Sequence, residues 1–441
     1  INEIRRIGLE TFIPFSLLLR ILFAMKYSKD TYRLLLSQKY IKLLGLVFFF
    51  VFLLFSCQSN QSPKVHQGLK SDRAPEDSVL VMGAQQIEEL LTLIDGRAVA
   101  LVGNQSSMVN SKTHLVDTIL ARGVDLLKVF SPEHGFRGTA SAGEKINNSL
   151  DPKTGLPIVS LYGNHKKPTA ADLEGVALVI FDIQDVGVRF YTYISTLHYV
   201  MEACAELNIP LLVLDRPNPN GDYIDGPVLD LKHQSFVGMH PVPIVHGMTI
   251  GEYARMINGE YWLKDSMRCS LSTINCLNYQ HDLFYDLPIP PSPNLRSAIS
   301  IRLYPSLCLF EGTSVSVGRG TQTPFELYGH PKMPKDLFHF TPEAQVGAMN
   351  PKYEQIVCGG FYLGDIPMST KFSISYLLNA IAILKNPAAL IDKKSFFIKL
   401  AGTEDLYNQL ISGWSEKEIR ETWVEDLERY KEIRSKYLQY N

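Results

Sequence analysis

The chain has 441 residues, a formal charge of −2 at pH 7 and 46% hydrophobic residues. That length suffices for two domains and a sizeable core. The near-neutral balance gives no electrostatic reason to expect nucleic acid or an anionic membrane surface as a partner, so any function has to be read from local motifs.

The first methionine is Met25, and residues 1–24 are expected to be translated upstream sequence. Residues 25–57 have the build of an export leader, with Lys26, Lys29, Arg33, Lys39 and Lys42 preceding the apolar run Leu43 to Phe55. That run is shorter than the ~20 residues a spanning helix needs. It closes on Leu54-Phe55-Ser56-Cys57, which resembles a bacterial lipoprotein processing site in which the cysteine is lipidated. A plain signal peptide or an uncleaved anchor is the alternative. Residues 58–84 are polar, with Ser, Gln, Asn and Pro, and read as a flexible tether. The folded part is thus expected outside the cytoplasm, held to a bacterial membrane by a lipid on Cys57.

From about 85 to 265 strand and helix signals alternate. Ala98 to Gly103, Leu126 to Phe130, Ile158 to Tyr162, Ala177 to Phe181 and Leu211 to Leu214 are short apolar runs of strand character. Thr113 to Ala121 and Ser195 to Leu207 have helical periodicity, and Thr249 with Glu252 three residues on forms a capping box that opens another helix. Continuous apolar strands separated by helices predict an α/β fold, a Rossmann-like doubly wound parallel sheet covered on both faces. No G-x-G-x-x-G follows the first strand, so no dinucleotide cofactor is expected. Beyond 265 the character changes. Arg268 to Cys276 alternates like a strand, Asp286 to Asn294 is a Pro-rich extended connection, and Leu303 to Gly318 is expected to line a crevice from the far side. Phe372 to Lys385 reads as a helix, and Ser415 with Glu418 caps a last helix running to about Tyr437. Residues 266–441 therefore read as a smaller α+β domain closing over the first.

The polar residues then form a pattern. The first strand runs into Asn104, the second into Glu133, His134 and Arg137, the fourth into Asp182 and Asp185, and the fifth into Asp215, Arg216, Asn218 and Asn220. In a doubly wound sheet these points share the carboxyl edge, where ligands bind. Arg189, Tyr191 and Tyr193 follow the fourth strand and add a cation and aromatic platforms suited to sugar rings. The alternative for any one of them is local: Asp182 and Asp215 as helix caps, the tyrosines as packing.

Several carboxylates with arginine and tyrosine neighbours suit glycoside hydrolysis, which needs two carboxyl groups flanking the scissile bond. No G-x-S-x-G, H-E-x-x-H or P-loop is present. A metal-dependent deacetylase or esterase, with Asp182, Asp185 and His134 or His246 as ligands, is the looser alternative. A surface lipoprotein that binds wall glycans without cutting them is another. Cys204, Cys269, Cys276, Cys308 and Cys358 show no CxxC pair and no His/Cys cluster, and a Cys269–Cys276 bridge is compatible with an oxidising compartment.

The strings SPEHGFRG, FDIQDVGVRFYTY, DRPNPNG, HGMTIGEYA and LFEGTSVSVGRGTQTPFE occur in this order over most of residues 85–441. They resemble the peptidoglycan exo-β-N-acetylmuramidase family, a glycoside hydrolase group formerly listed as a domain of unknown function. The resemblance implies removal of N-acetylmuramic acid from the non-reducing end of peptidoglycan fragments by a Rossmann-like domain joined to a smaller one, with no metal or nucleotide cofactor. Its partners would be muramyl sugars. Carried onto this chain, it makes Glu133 of the PEHG motif a catalytic carboxylate. Glu311, Asp182 and Asp185 all stand in matching motifs and are alternatives for the second, with an Arg319 ion pair the competing role for Glu311. Arg137, Arg189, Arg216 and Arg319 are candidates for the lactyl carboxylate of muramic acid, and Asn104, Asn218, Asn220, His134 and His246 for its hydroxyl and acetamido groups. Gly318 and Gly320 flank Arg319 and predict a tight loop beside the ligand. Retention would place the two carboxyls ~5–5.5 Å apart and inversion ~6.5–9.5 Å apart.

Overall fold

The computed structural model describes residues 79–440 except His134, residues 137–148 and Leu337. The expected leader, Cys57, most of the expected tether, His134 and Arg137 thus lie outside the described residues. The described residues belong to one compact unit, Ala74–Asn441.

The apolar runs build a seven-stranded sheet from β1 (Val99–Gly103), β2 (Leu126–Ser131), β3 (Ser149–Leu150), β4 (Pro157–Ser160), β5 (Leu178–Asp182), β6 (Leu211–Leu214) and β7 (Leu271–Ile274), in the order β3-β4-β2-β1-β5-β6-β7. Only β3, beside β4, is antiparallel. Counted along the chain, the six parallel strands lie in the order 3-2-1-4-5-6, so the winding reverses between β1 and β5. Alternate residues feed two cores. Ala100, Val102, Val179, Phe181, Leu211 and Val213 face one side, and Val99, Leu101, Leu178, Ile180, Leu212 and Leu214 the other. The second side is covered by α1 (Ile87–Ile94) and α2 (Leu115–Ala121). The first is covered by α3 (Tyr193–Leu207) and α4 (Ile250–Gly259). Burial on both faces is why the strands read as continuous apolar runs.

The sequence places a boundary after 265, but β7 pairs with β6 through Leu211–Leu271 to Leu214–Ile274, so the main sheet takes a strand from beyond it. As an edge strand β7 buries only Ile274 fully, and its alternating pattern looks unlike those of the central strands. The second half contributes α5 (Ala298–Leu307) and a small antiparallel sheet of β8 (Leu327–His330), β9 (His339–Phe340) and β10 (Cys358–Tyr362), ordered β8-β10-β9. The helices α6 (Ser375–Leu384), α7 (Pro387–Leu390), α8 (Lys394–Ala401), α9 (Asp405–Ile411), α10 (Glu416–Glu421) and α11 (Val424–Ser435) follow. The single terminal helix expected from Ser415 is two. Its Ser415–Glu418 capping box is present, but α10 stops where Thr422 Oγ1 donates to the Ile419 carbonyl (2.7 Å) and Trp423 turns inward beside Phe372. Phe310, Phe397 and Trp423 share one core cluster with Phe181 of the main sheet.

Helix α4 begins as its capping box predicts, with Thr249 Oγ1 accepting from Glu252 N (3.3 Å) and Glu252 Oε2 accepting from Thr249 N (3.0 Å). Asp215, at the end of β6, also serves this terminus, accepting from Gly251 N (2.8 Å) and Thr249 Oγ1 (2.7 Å). Burial lifts the Asp215 carboxyl from 3.8 to about 6, aided by the Glu252 charge and opposed by the bonds from Tyr440, Gly251 and Thr249. A carboxyl that holds its proton more tightly folded than unfolded stabilises the fold at low pH, and that contribution is lost as pH rises through about 6. Relative to the Asp215→Asn variant, stability should fall by roughly 3 kcal/mol between about pH 4 and 7. Urea midpoints across that range check this, and a flat difference would contradict it.

Candidate active site

The parallel sheet delivers the loops after β1, β2, β5 and β6 to its carboxyl edge, and the loops that follow α5 close over part of it. Glu133, two residues past β2, lines a pocket with Phe190, Tyr191, Thr192 and Tyr193; Ser292, Leu295, Tyr304, Arg319 and Phe325 of the second half supply the rest of the wall. Thr192 Oγ1 donates to Glu133 Oε2 (3.4 Å). Burial and then the Glu133 charge raise the Tyr193 hydroxyl far above its ordinary value, which keeps it protonated and places the carboxylate close to it. Tyr191 and Tyr193 meet edge to face at 4.9 Å, and both hydroxyls donate to the Pro291 carbonyl (2.9 and 3.3 Å). Asn104 lies beneath, its Nδ2 donating to Tyr193 Oη (2.9 Å) while its Oδ1 accepts from Ser106. It positions the platform from below.

Arg319 stands on the opposite wall. Gly318 and Gly320 flank it with φ of +77° and +85°, and a Cβ there would meet Leu327 Cδ1 at 2.7 Å or the Glu343 carbonyl at 2.6 Å, so the loop requires glycine at both places. The guanidinium lies 5.0 Å from the Phe325 ring, and Nε donates to Glu311 Oε1 (3.2 Å). Phe325 itself is buried with a left-handed φ of 62°, an uncommon conformation for an aromatic residue and one that collects at functional sites. Burial would raise the Glu311 carboxyl, but Arg319 and Lys352 outweigh it and hold the group below its usual range, charged. Lys352 Nζ also fixes the preceding turn through the carbonyls of Phe310 (3.0 Å), Thr313 (2.5 Å) and Val315 (3.1 Å). Glu311 thus stands as the ion partner of Arg319, and a carboxylate held charged is poorly suited to donate a proton.

Other expected residues are placed elsewhere. Arg189 is fully buried and turned away from the pocket, with Nη1 donating to the carbonyls of Pro227 (2.7 Å) and Val242 (2.8 Å) and Nη2 to those of Leu400 (2.9 Å) and Ala401 (2.7 Å). Burial pulls its pKa down to about 9, so it is still charged at pH 7. Arg216 grips Asp182 with two bonds, Nε to Oδ1 (2.6 Å) and Nη2 to Oδ2 (3.0 Å), and both are buried. Both carboxylate oxygens of Asp182 are thus engaged by Arg216. Among the described residues no group of three His, Cys, Asp or Glu side chains is arranged to hold a metal ion. Asn218 and Asn220 tie the loop after β6 to Met248, Val186 and Ile301, with Asn220 Oδ1 accepting from Arg302 (3.2 Å). Asp185 and His246 approach at 3.8 Å in a buried site next to Tyr253, and Asp185 Oδ1 and His246 Nε2 have no hydrogen-bond partner among the described residues. Cys204, Cys269, Cys276, Cys308 and Cys358 are buried thiols, so Cys269 and Cys276 form no bridge.

The sequence reading missed Thr192, Ser292, Leu295, Tyr304 and Phe325. Thr192 sits between the two tyrosines singled out, and Ser292 lies in the Pro-rich connection, whose lack of helical or strand pattern marks an extended segment but not what it borders. Tyr304 and Phe325 carry no local signal, since only the tertiary fold brings α5 and the turn after Pro324 to Glu133.

The comparisons bear on this arrangement. Models of the exo-beta-N-acetylmuramidase NamZ family match residues 99–299 for the N-terminal part and 302–440 for the C-terminal part. The peptidoglycan beta-N-acetylmuramidase NamZ of Bacillus subtilis (strain 168) is 35% identical over 404 residues, covering 87% of this chain and 93% of that protein. Two crystal structures of DUF1343 family proteins from Bacteroides fragilis superpose with TM-scores of 0.77 and 0.72 at 43% and 26% identity, each covering 82% of this chain and 99% of the other. The pocket that joins Glu133 to Arg319 therefore lies in a chain that belongs to the exo-β-N-acetylmuramidase NamZ family, and the protein is a glycosidase.

Proposed function

We propose that the protein removes single N-acetylmuramic acid residues from the non-reducing end of peptidoglycan fragments, with Glu133 as the acid/base carboxylate. The observation that carries this reading is the pairing, across one pocket, of Glu133 with Arg319. Glu133 would protonate the glycosidic oxygen as the bond breaks, and its carboxylate would then take a proton from the water that adds to the anomeric carbon, which releases N-acetylmuramic acid and restores the acid. Arg319, anchored by Glu311 on one edge, retains its Nη donors for the lactyl carboxylate that distinguishes muramic acid from glucosamine. Tyr191, Tyr304 and Phe325 offer ring faces and edges to the sugar.

The Arg319 assignment predicts a specificity effect. Arg319→Met should lower kcat/KM on a muramyl substrate by about 10²-fold and affect an N-acetylglucosaminyl analogue, which lacks the carboxylate, far less. Parallel assays of the two substrates check this, and equal losses on both would remove the lactyl role.

The leader, with its basic residues, apolar run and Cys57, supports an exported, lipid-anchored enzyme working in cell-wall turnover. Labelling cells with a radioactive fatty acid should mark the protein and fail to mark the Cys57→Ala variant. Unchanged labelling would rule out Cys57 as the anchor.

A further inference from the structure

A second cavity lies at the same sheet edge, and it is larger and more apolar than the Glu133 pocket. It holds about 290 Å³ and is bordered by the loop after β1, by Gln184 after β5 and by Arg216 after β6, with Leu287, Pro288 and Ile289 as its outer wall. This is the position where the winding reverses between β1 and β5, the place where doubly wound sheets bind ligands. The wall is the segment that continues into Pro291, whose carbonyl takes the Tyr191 and Tyr193 hydroxyls, and into Ser292 and Leu295 of the other pocket. One extended strap therefore borders both cavities, and among the described residues no lining residue is common to them.

Two donors in this cavity are poorly served. Arg216 is 3% exposed; its Nε and Nη2 are bound to Asp182 and Nη2 also donates to the Met108 carbonyl (3.2 Å), while among the described residues its Nη1 meets only the thioether of Met82 (3.4 Å). The Tyr285 hydroxyl donates to the same sulfur (3.6 Å). A thioether is a weak acceptor, and two donors converging on it mark a place where a carbonyl oxygen, with two lone pairs, would be bound better. The charge of Arg216 is already balanced by Asp182, and among the described residues it is the one charged side chain that lines the cavity. The rest of the lining combines apolar Val, Leu, Met, Pro and Ile side chains with the uncharged polar side chains of Gln85, Ser106, Asn110, Ser111 and Gln184.

We infer that this cavity is a binding site, separate from the Glu133 pocket, for an uncharged small molecule with an apolar body and one amide- or ester-type carbonyl oxygen directed at Arg216 Nη1 and Tyr285 Oη. An apolar cavity of ~150 Å³ accepts benzene, so the volume here has room for a ring bearing an acyl group. A carboxylate would gain little over a neutral carbonyl, because the site presents a neutral ion pair and not a free cation.

N-Benzylacetamide is a suitable probe, titrated against the purified protein by calorimetry and by saturation-transfer NMR. The expected result is saturable binding that weakens about 3- to 10-fold in Tyr285→Phe, which removes one donor and no bulk. Binding should be lost in Met108→Trp, which fills the cavity, and be unchanged in Glu133→Gln. If the tryptophan variant fails to fold, the Tyr285→Phe titration alone decides. Absence of saturation up to millimolar probe would overturn the inference. So would equal affinity in Tyr285→Phe, or competitive displacement of the probe by a muramyl disaccharide, which would place it in the Glu133 pocket.

Discussion

Glu133→Gln should reduce hydrolysis of a muramyl disaccharide by 10³-fold or more while leaving the fold and substrate binding nearly intact. The amide is isosteric, so it can still accept from Thr192 Oγ1. It cannot deliver or take up a proton, and positioned acid/base groups contribute about 10²–10⁴-fold to rate. The loss should fall on kcat, since an interaction made only in the transition state lowers kcat and kcat/KM together. Steady-state kinetics with a binding titration of the inactive variant separate these effects. A wall-binding protein without catalysis would have no rate to lose, and a merely structural Glu133 would show lowered stability with a modest change in kcat.

Arg189→Met should produce the largest loss of stability of any single change considered, about 3–5 kcal/mol. The substitution keeps the apolar stem but leaves four buried carbonyls, those of Pro227, Val242, Leu400 and Ala401, without their donor. The last two belong to the end of α8, so the side chain fastens the second half of the chain to the loops beside the sheet. Gly402 supplies an independent test. Its φ is +80°, and a Cβ there would come within 2.5 Å of Arg189 Nη2, so Gly402→Ala should destabilise in the same sense. Denaturant midpoints and m-values measure both variants. If Arg189 instead served the substrate, its variant would show raised KM with a normal midpoint.

Arg189 also shows where sequence reasoning loses its hold. Its position in FDIQDVGVRFYTY, two residues from Tyr191, argued for a pocket, and strand-like alternation gave no means of telling which way it turned. Four carbonyl partners up to 212 residues away in sequence decided that. Arg216 and Asp182 illustrate the same limit, since each stands at the right sheet edge but their charges pair with one another. What was legible followed from periodicity and caps. The apolar runs, the Thr249–Glu252 box and the clustering of polar residues after successive strands were enough for a doubly wound sheet, and they pointed to its carboxyl edge, where the candidate pocket lies. That logic and the PEHG resemblance together pointed to Glu133, which lines the pocket at this edge. The edge strand β7 was recognised as a strand but assigned to the wrong half, because its pairing with β6 spans a helix and a turn. The far wall of the pocket was only partly legible: the Gly-Arg-Gly triplet marked Arg319, while Tyr304 and Phe325 depend on packing that no local pattern records.

The most direct test is product analysis. The protein is incubated with N-acetylmuramic acid-β-1,4-N-acetylglucosamine, and separately with the reversed disaccharide, in which glucosamine occupies the non-reducing end; free sugars are then identified by mass spectrometry. The account predicts release of N-acetylmuramic acid from the first and nothing from the second. Cleavage of both alike, or binding of the first without release, would contradict it.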